Sequence, residues 1–371
     1  MLSLFDHQVR HPQSFVIDGD AAVDFPHFPS LKNFGTRMSL AALITPEAMR
    51  MTPIAAAAVE RLQAAGFDVR YPRDPLLARG QASFSEMEAE LEGIDAVIAS
   101  SEPYTPELLE RLPRLRVIAR CGVGYDRVNV PAATRLGKAV TITPGANHEA
   151  VAELALALLF GVTKRIVVND RLIRQGAWPR EPLIPLRGRT LGILGLGRIG
   201  RSLATRAQAL RLQVIAHEER PDTDFTQRHG IELVSFDELL QRSDYLSIHC
   251  PLTPATEGLF NASVFARMKP GSVLINTARG RLVVETDLIA ALESGHLSGA
   301  GLDVFEEEPP ARSNRLLQLD QVVAAPHIAG ADQLSMEAMG VEAADCIVRL
   351  QRNEWPEGAV VNAELKSTWR W

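Results

Sequence analysis

The chain is poor in cysteine: Cys121, Cys250 and Cys346 are scattered singly through 371 residues. An odd, widely spaced set argues against a disulfide framework and against a cysteine metal site, and it suits a reducing cytoplasm. Long apolar runs are missing as well. None approaches the ~20 residues that span a bilayer, so no membrane partner is expected. The start, Met1-Leu2-Ser3-Leu4-Phe5-Asp6-His7, lacks a basic segment followed by an apolar one, so no signal peptide is expected. No block of lysine or arginine occurs, and 39 basic residues against 45 acidic ones give a formal net charge of −6. Nucleic acid is therefore not an expected partner. No histidine pair has ligand spacing on a helical stretch, and no metal is expected. Repeats and low-complexity segments are absent too.

What remains is an ordinary globular composition, 46% hydrophobic and 23% charged, in a chain long enough for two domains. Residues 1–38 read as loop, with Pro12, Pro26 and Pro29 among isolated aromatics; a disordered leader and a surface arm are both open. Short apolar runs then alternate with helical stretches. Strands are expected at 39–45, 68–71, 96–99 and 116–119, with helices at 53–65 and about 106–112. A long Ala- and Leu-rich helix is expected from about 149 to 175, after the turn Thr143-Pro144-Gly145-Ala146-Asn147. Beyond it, strands are expected at 190–195, 213–217, 245–249, 272–276, 299–303 and 321–325. The fold class is α/β, with parallel sheets covered on both faces.

Gly195-Leu196-Gly197-Arg198-Ile199-Gly200 follows one of these strands and opens a helix. A lone GxGxxG is a weak signal, and its position strengthens it. Gly195 allows the tight turn, Gly197 lets a pyrophosphate approach the backbone, and Gly200 lets helix pack on strand. The next strand ends in His217-Glu218-Glu219-Arg220. A carboxylate there accepts from an adenosine ribose and repels a 2′-phosphate, so Glu218 points to NAD. Arg220 lies near enough to accommodate a 2′-phosphate, which leaves NADP open.

Three further segments close successive apolar runs: Asn276-Thr277-Ala278-Arg279-Gly280, Asp303-Val304-Phe305-Glu306-Glu307-Glu308-Pro309 and Pro326-His327-Ile328-Ala329-Gly330. An arginine for an anionic substrate, a carboxylate to orient an imidazole, and the imidazole as proton carrier suit hydride transfer between a nicotinamide and a hydroxy acid. Spacing from Asp303 and the proline after it select Glu308, while Glu306 and Glu307 are expected to be solvated. Arg120-Cys121-Gly122-Val123-Gly124-Tyr125-Asp126 offers a glycine-flanked turn whose amides can converge on an anion.

The order and wording of these motifs resemble the D-isomer-specific 2-hydroxyacid dehydrogenase family, and within it the phosphoglycerate-dehydrogenase-like branch, from about position 40 to 365. The resemblance implies a Rossmann NAD-binding domain at 148–330 and a smaller flavodoxin-like substrate domain at 39–147 and 331–371. It implies that Arg279, Glu308 and His327 are catalytic, and that Gly122, Val123 and Gly124 with Arg279 hold the substrate carboxylate. Cofactor contacts are implied for Gly195, Gly197, Arg198, Ile199, Gly200, Glu218, Cys250, Pro251, Thr256, Thr277, Ala278, Asp303 and His327. Asp303 would meet the nicotinamide carboxamide; its plainer role is a loop cap. A homodimer through the NAD-binding domain is implied too.

The expected activity is that of an NAD-dependent oxidoreductase on a small D-2-hydroxy or 2-keto acid. Open within the family is a glyoxylate or hydroxypyruvate reductase; a rival is an NAD(H)-sensing corepressor. Formate or phosphite as hydride donor is disfavoured, because the loops lack the formate-type site. After the strand at 96–99 comes Ser100-Ser101-Glu102-Pro103, where phosphoglycerate dehydrogenases carry an arginine that aids phosphate binding. That departure puts 3-phosphoglycerate in doubt. No regulatory domain is expected after the catalytic region.

Overall fold

The computed structural model describes residues 39–50 and 53–371, so the leader or arm at 1–38 lies outside the described residues. Five parallel strands, β1 (Leu40–Ile44), β2 (Phe67–Arg70), β3 (Ala96–Ala99), β4 (Val117–Arg120) and β5 (Ala139–Thr141), form a small sheet in the order β2-β1-β3-β4-β5. Helices α1 (Ala56–Ala64), α2 (Phe84–Leu91), α3 (Pro106–Arg111) and α4 (Val130–Arg135) connect them. Every residue of β3 and β4 is buried, as a parallel strand covered on both faces requires.

The long helix expected at 149–175 is two helices, α5 (His148–Thr163) and α6 (Ile166–Arg174), parted at Arg165, whose φ is 49°. The two have different tasks. Ala155, Leu158, Leu159 and Val162 of α5 enter the core of the second sheet, whereas α6 buries only Val168. Helix-compatible composition runs through a break made by one left-handed residue.

The second sheet comprises β6 (Thr190–Leu194), β7 (Gln213–His217), β8 (Glu232–Leu233), β9 (Tyr245–Ile248), β10 (Ser272–Asn276), β11 (Leu297–Leu302) and β12 (Val322–Ala324). Its order is β12-β11-β10-β9-β6-β7-β8, all parallel. Helices α7 (Arg198–Ala209), α8 (Thr223–His229), α9 (Phe236–Arg242), α10 (Ala262–Phe265) and α11 (Glu285–Glu293) lie between these strands. The exposed pair β8 and the three-residue β5 were not expected, being too short to show a period. The last helix, α12 (Gln333–Gln351), buries Met339, Ala343 and Ile347 against the small sheet, and Val361 N–H bonds to Val140 O at 2.8 Å.

Both sheets are doubly wound, and strand order reverses between β1 and β3 in one and between β6 and β9 in the other. Ligands of such sheets bind outside the carboxyl ends of the strands at that reversal. Every motif singled out in the sequence lies at such a carboxyl end.

Candidate active site

At the end of β6, Gly195 has φ +95°, and an added Cβ would lie 2.8 Å from Cys250 N, so the turn requires glycine. A Cβ at Gly200 would lie 2.2 Å from Gly195 O, which fixes the close approach of helix and loop. Gly197 is different: its Cβ position faces open space. It begins α7 without a side-chain cap. Among the described residues no acceptor meets the amides of Gly197, Arg198, Ile199 or Gly200. Four unspent N–H groups at the positive end of a twelve-residue helix suit a pyrophosphate. Glu218, at the tip of β7, accepts from Leu196 N–H at 2.7 Å and from Arg220 N–H at 3.0 Å. The carboxylate is thereby held beside the glycine loop.

The loop after β9 runs Cys250 to Thr256 and is tied by Thr256 Oγ1, which donates to Pro251 O at 2.7 Å and accepts from Thr253 N–H at 2.8 Å. Burial pushes the Cys250 thiol up to about 11, which disfavours the thiolate that a nucleophile needs. After β10, Thr277 is buried and its Oγ1 has no partner among the described residues. Asn276 braces the following turn, accepting from Ala278 N–H at 3.0 Å and donating to Arg279 O at 2.9 Å.

Arg279 reaches across to the small sheet. Its Nε donates to Asp126 Oδ1 at 2.8 Å, and its Nη2 occupies the space beside Gly124, where an added Cβ would lie 1.3 Å away. Sequence reasoning placed the arginine and the glycine loop in one site but gave Asp126 no part. A pairing across 153 positions leaves no local signal. Within the loop, Gly122 donates its amide to Thr143 Oγ1 at 2.8 Å, whereas the amides of Val123 and Gly124 have no partner among the described residues. Gly122 therefore serves through its φ of +132°, and the next two amides are the ones free for an anion.

His327 has φ 55°, and three hydrogen bonds hold its loop to Asp303. His327 N–H donates to Asp303 O at 2.8 Å, while Ile328 and Ala329 N–H donate to the two carboxylate oxygens at 2.9 and 2.8 Å. Asp303 is fully buried, and burial raises its carboxyl against those two bonds. In this structure it acts as a loop cap. His327 Nδ1 lies 2.8 Å from Glu308 Oε2, and Glu308 Oε1 accepts from Phe305 N–H at 3.1 Å. Burial pushes Glu308 up, yet the bond and charge of His327, the Phe305 amide and Arg279 together hold it below the usual carboxylate range. An ionised Glu308 fixes the proton on Nδ1, so that Nε2 is the nitrogen able to exchange one. Glu306 is exposed but not idle: Glu285 and Glu306 exchange side chain-to-amide bonds at 2.8 and 2.7 Å, which anchors the Glu308 loop to α11. Glu307 is exposed.

Asn147 escaped notice as a site residue. It is buried, its Nδ2 lies 2.7 Å from where Gly330 would carry a Cβ, and its Oδ1 has no partner among the described residues. It touches the His327 loop and lies beside Gly122. Its one signal in the sequence is the turn before α5. Among the described residues, no group of three metal-ligating side chains occurs and no helix is long and apolar enough to cross a membrane.

Residues 156–329 match the family model described as D-isomer specific 2-hydroxyacid dehydrogenase, NAD binding domain. The chain is 38% identical over 278 residues to a glyoxylate reductase of Korarchaeum cryptofilum, covering 73% of this chain and 83% of that protein. It is 35% identical over 303 residues to a D-3-phosphoglycerate dehydrogenase of Archaeoglobus fulgidus, covering 81% of this chain and 56% of the other. The solved TT0316 protein of Thermus thermophilus superposes with a TM-score of 0.76 at 34% identity, over 87% of this chain and 100% of its own. With these relatives, the chain belongs to the D-isomer-specific 2-hydroxyacid dehydrogenase family and is an NAD-dependent oxidoreductase.

Proposed function

We propose that the chain interconverts a small 2-keto acid and its D-2-hydroxy acid in the cleft between the carboxyl edges of its two sheets. The observation that carries this reading is the Glu308–His327 pair at 2.8 Å with Arg279 packed against Gly124 across the cleft. Bound NADH supplies a hydride equivalent. The guanidinium of Arg279 and the amides of Val123 and Gly124 hold the substrate carboxylate, and Arg279 polarises the carbonyl. His327 Nε2 gives the carbonyl oxygen its proton in reduction and takes it back in oxidation. Glu308 holds the imidazole in that tautomer and stabilises its cationic form.

In this reading residues 39–147 and 331–371 form the substrate domain, and 148–330 bind NAD through Gly195, Gly197, Arg198, Ile199, Gly200 and Glu218, with further cofactor contacts from Cys250, Pro251, Thr256, Thr277 and Ala278. Asp303 serves by anchoring the His327 loop. The chain acts as a homodimer through the NAD-binding domain, supported by exposed Ile166, Val167 and Ile173 on α6 with Trp178 beside them, 77% exposed. Three free cysteines support a reducing cytoplasm. The named relatives are a reductase and a dehydrogenase, which favours catalysis over a corepressor role.

The test is NADH, and in parallel NADPH, with a panel of glyoxylate, hydroxypyruvate, pyruvate and phosphohydroxypyruvate. NADH oxidation with one acid well above the others is expected. Tight NADH binding with no turnover of any of them would refute the reading.

A further inference from the structure

The ion pair between Asp126 and Arg279 crosses the cleft, and proton and hydride transfer do not use it. Asp126 Oδ1 accepts from Arg279 Nε at 2.8 Å. Backbone bonds fix both ends of the pair. On the small-sheet side, buried Arg120 donates Nε to Gly124 O at 3.0 Å, two residues before Asp126. Just past it, Tyr104 N–H donates to Arg127 O at 2.8 Å and Val128 N–H to Tyr125 O at 2.9 Å. On the large-sheet side, Arg279 O accepts from Asn276 Nδ2 at 2.9 Å.

The guanidinium held between these ends has its donors divided. Nε is spent on Asp126, and Nη1 donates to Ala278 O at 2.6 Å. Nη2 meets no acceptor among the described residues and stands beside Gly124. The free Nη2 and the free amides of Val123 and Gly124 therefore lie together. A carboxylate here could act in two opposite ways, by holding the arginine or by occupying the fork in place of a substrate. An occupant would bridge two nitrogens, as a bidentate pair does. Asp126 instead meets the single Nε and leaves Nη2 uncovered.

Resting on the proposed keto-acid reductase reading, we propose that Asp126 is a positioning residue for substrate binding: it holds Arg279 by Nε so that Nη2 meets the substrate carboxylate beside the amides of Val123 and Gly124. A free arginine side chain carries much rotamer freedom, and ordering it at the moment of binding costs affinity. Asp126 does that ordering beforehand, across the cleft. It acts through Arg279 and does not touch the substrate.

The experiment measures kcat and KM for the best keto acid with NADH in the wild-type protein, Asp126→Ala and Asp126→Asn. Alongside, fluorescence titration gives the dissociation constants of NADH and of oxamate, an unreactive keto-acid analogue, from the protein–NADH complex. Asp126→Ala should raise KM and the oxamate constant about tenfold, the scale of one lost charge-assisted hydrogen bond, with a smaller change in kcat and none in NADH binding. Asp126→Asn keeps an acceptor for the Nε–H and should recover most of that loss. The side chain is 35% exposed, so truncation is expected to leave the fold intact; Asp126→Ser stands in should alanine misfold. A KM and oxamate constant at or below wild type in the truncated variant would show that Asp126 competes for Arg279 or is idle, and would overturn the inference alone. So would an asparagine variant no better than alanine, or a matching loss of NADH binding, which marks a merely structural role. No turnover of any keto acid by the wild-type protein would overturn the proposed function and this inference with it.

Discussion

The carboxyl edges of the two sheets face the same cleft with opposite construction. On the large sheet the reactive groups stand on loops pinned by backbone: Asp303 takes two amides of the His327 loop, and Asn276 straddles the Arg279 turn. On the small sheet Glu102 and Arg120 are buried underneath, and the loop above them carries the unpartnered amides of Val123 and Gly124 beside Asp126, which pairs with Arg279. In the proposed function, one edge supplies the side chains that move protons and the other the amides that grip an anion. The contrast teaches that large-sheet changes should act on turnover and small-sheet changes on substrate affinity, with Arg279 belonging to both.

The largest effect separates the edges most sharply. His327→Ala should cut kcat by roughly 10²–10⁴-fold, the range for a lost general acid or base, while the NADH dissociation constant measured by fluorescence titration stays put. A collapse of NADH binding instead would remove His327 from the proton path. Arg279→Lys should come next, because an ammonium cannot supply the planar fork. Losing one charge-assisted hydrogen bond of roughly 1.5–3 kcal/mol corresponds to a fall in kcat/KM of about 10–100-fold, and near-normal steady-state rates would take Arg279 out of the site.

Gly124→Ala should act from the small-sheet side. The new methyl must displace Arg279 Nη2, so KM for the keto acid should rise about tenfold with a smaller change in kcat, the signature of lost uniform binding. A fall in kcat at constant KM would erase the contrast. The smallest effect is one of pH. Glu308 is depressed in the folded protein, so its bond to His327 is fully present above the ordinary carboxylate range and is lost only as pH falls through its lowered value. Wild-type reduction should therefore persist into mild acid. Glu308→Gln should move the alkaline limb of the reduction profile about one unit lower, the scale of a lost neighbouring charge. An unmoved limb would mean that Glu308 does not support the protonated imidazole.

The same contrast explains what could be read from the sequence. The large-sheet edge was legible because its chemistry sits in contiguous strings: Gly195–Gly200 after a strand, Arg279 in Asn-Thr-Ala-Arg-Gly, His327 after Pro326. The family resemblance supplied the expectation for Glu308, and the structure brings it against His327. The small-sheet edge was legible only in its glycines. Glu102 showed itself merely as a departure at Ser100-Ser101-Glu102-Pro103, because burial and the bonds from Thr45 and Tyr104 depend on strands that meet only after folding. Asp126 and Asn147 were missed for the same reason. The break at Arg165 was hidden because helical composition runs through it, and β5 and β8 because two or three residues carry no period.

The central claim is that both edges act on one substrate carboxylate, and a double-mutant cycle tests it most directly. Gly124→Ala, Arg279→Lys and the pair should be compared by kcat/KM for the best keto acid. The account predicts strong coupling, with the double variant scarcely worse than Arg279→Lys alone, because displacing a guanidinium that is already gone costs little. Losses that simply add would show that the loop and the arginine act at separate places, and would contradict the single shared site.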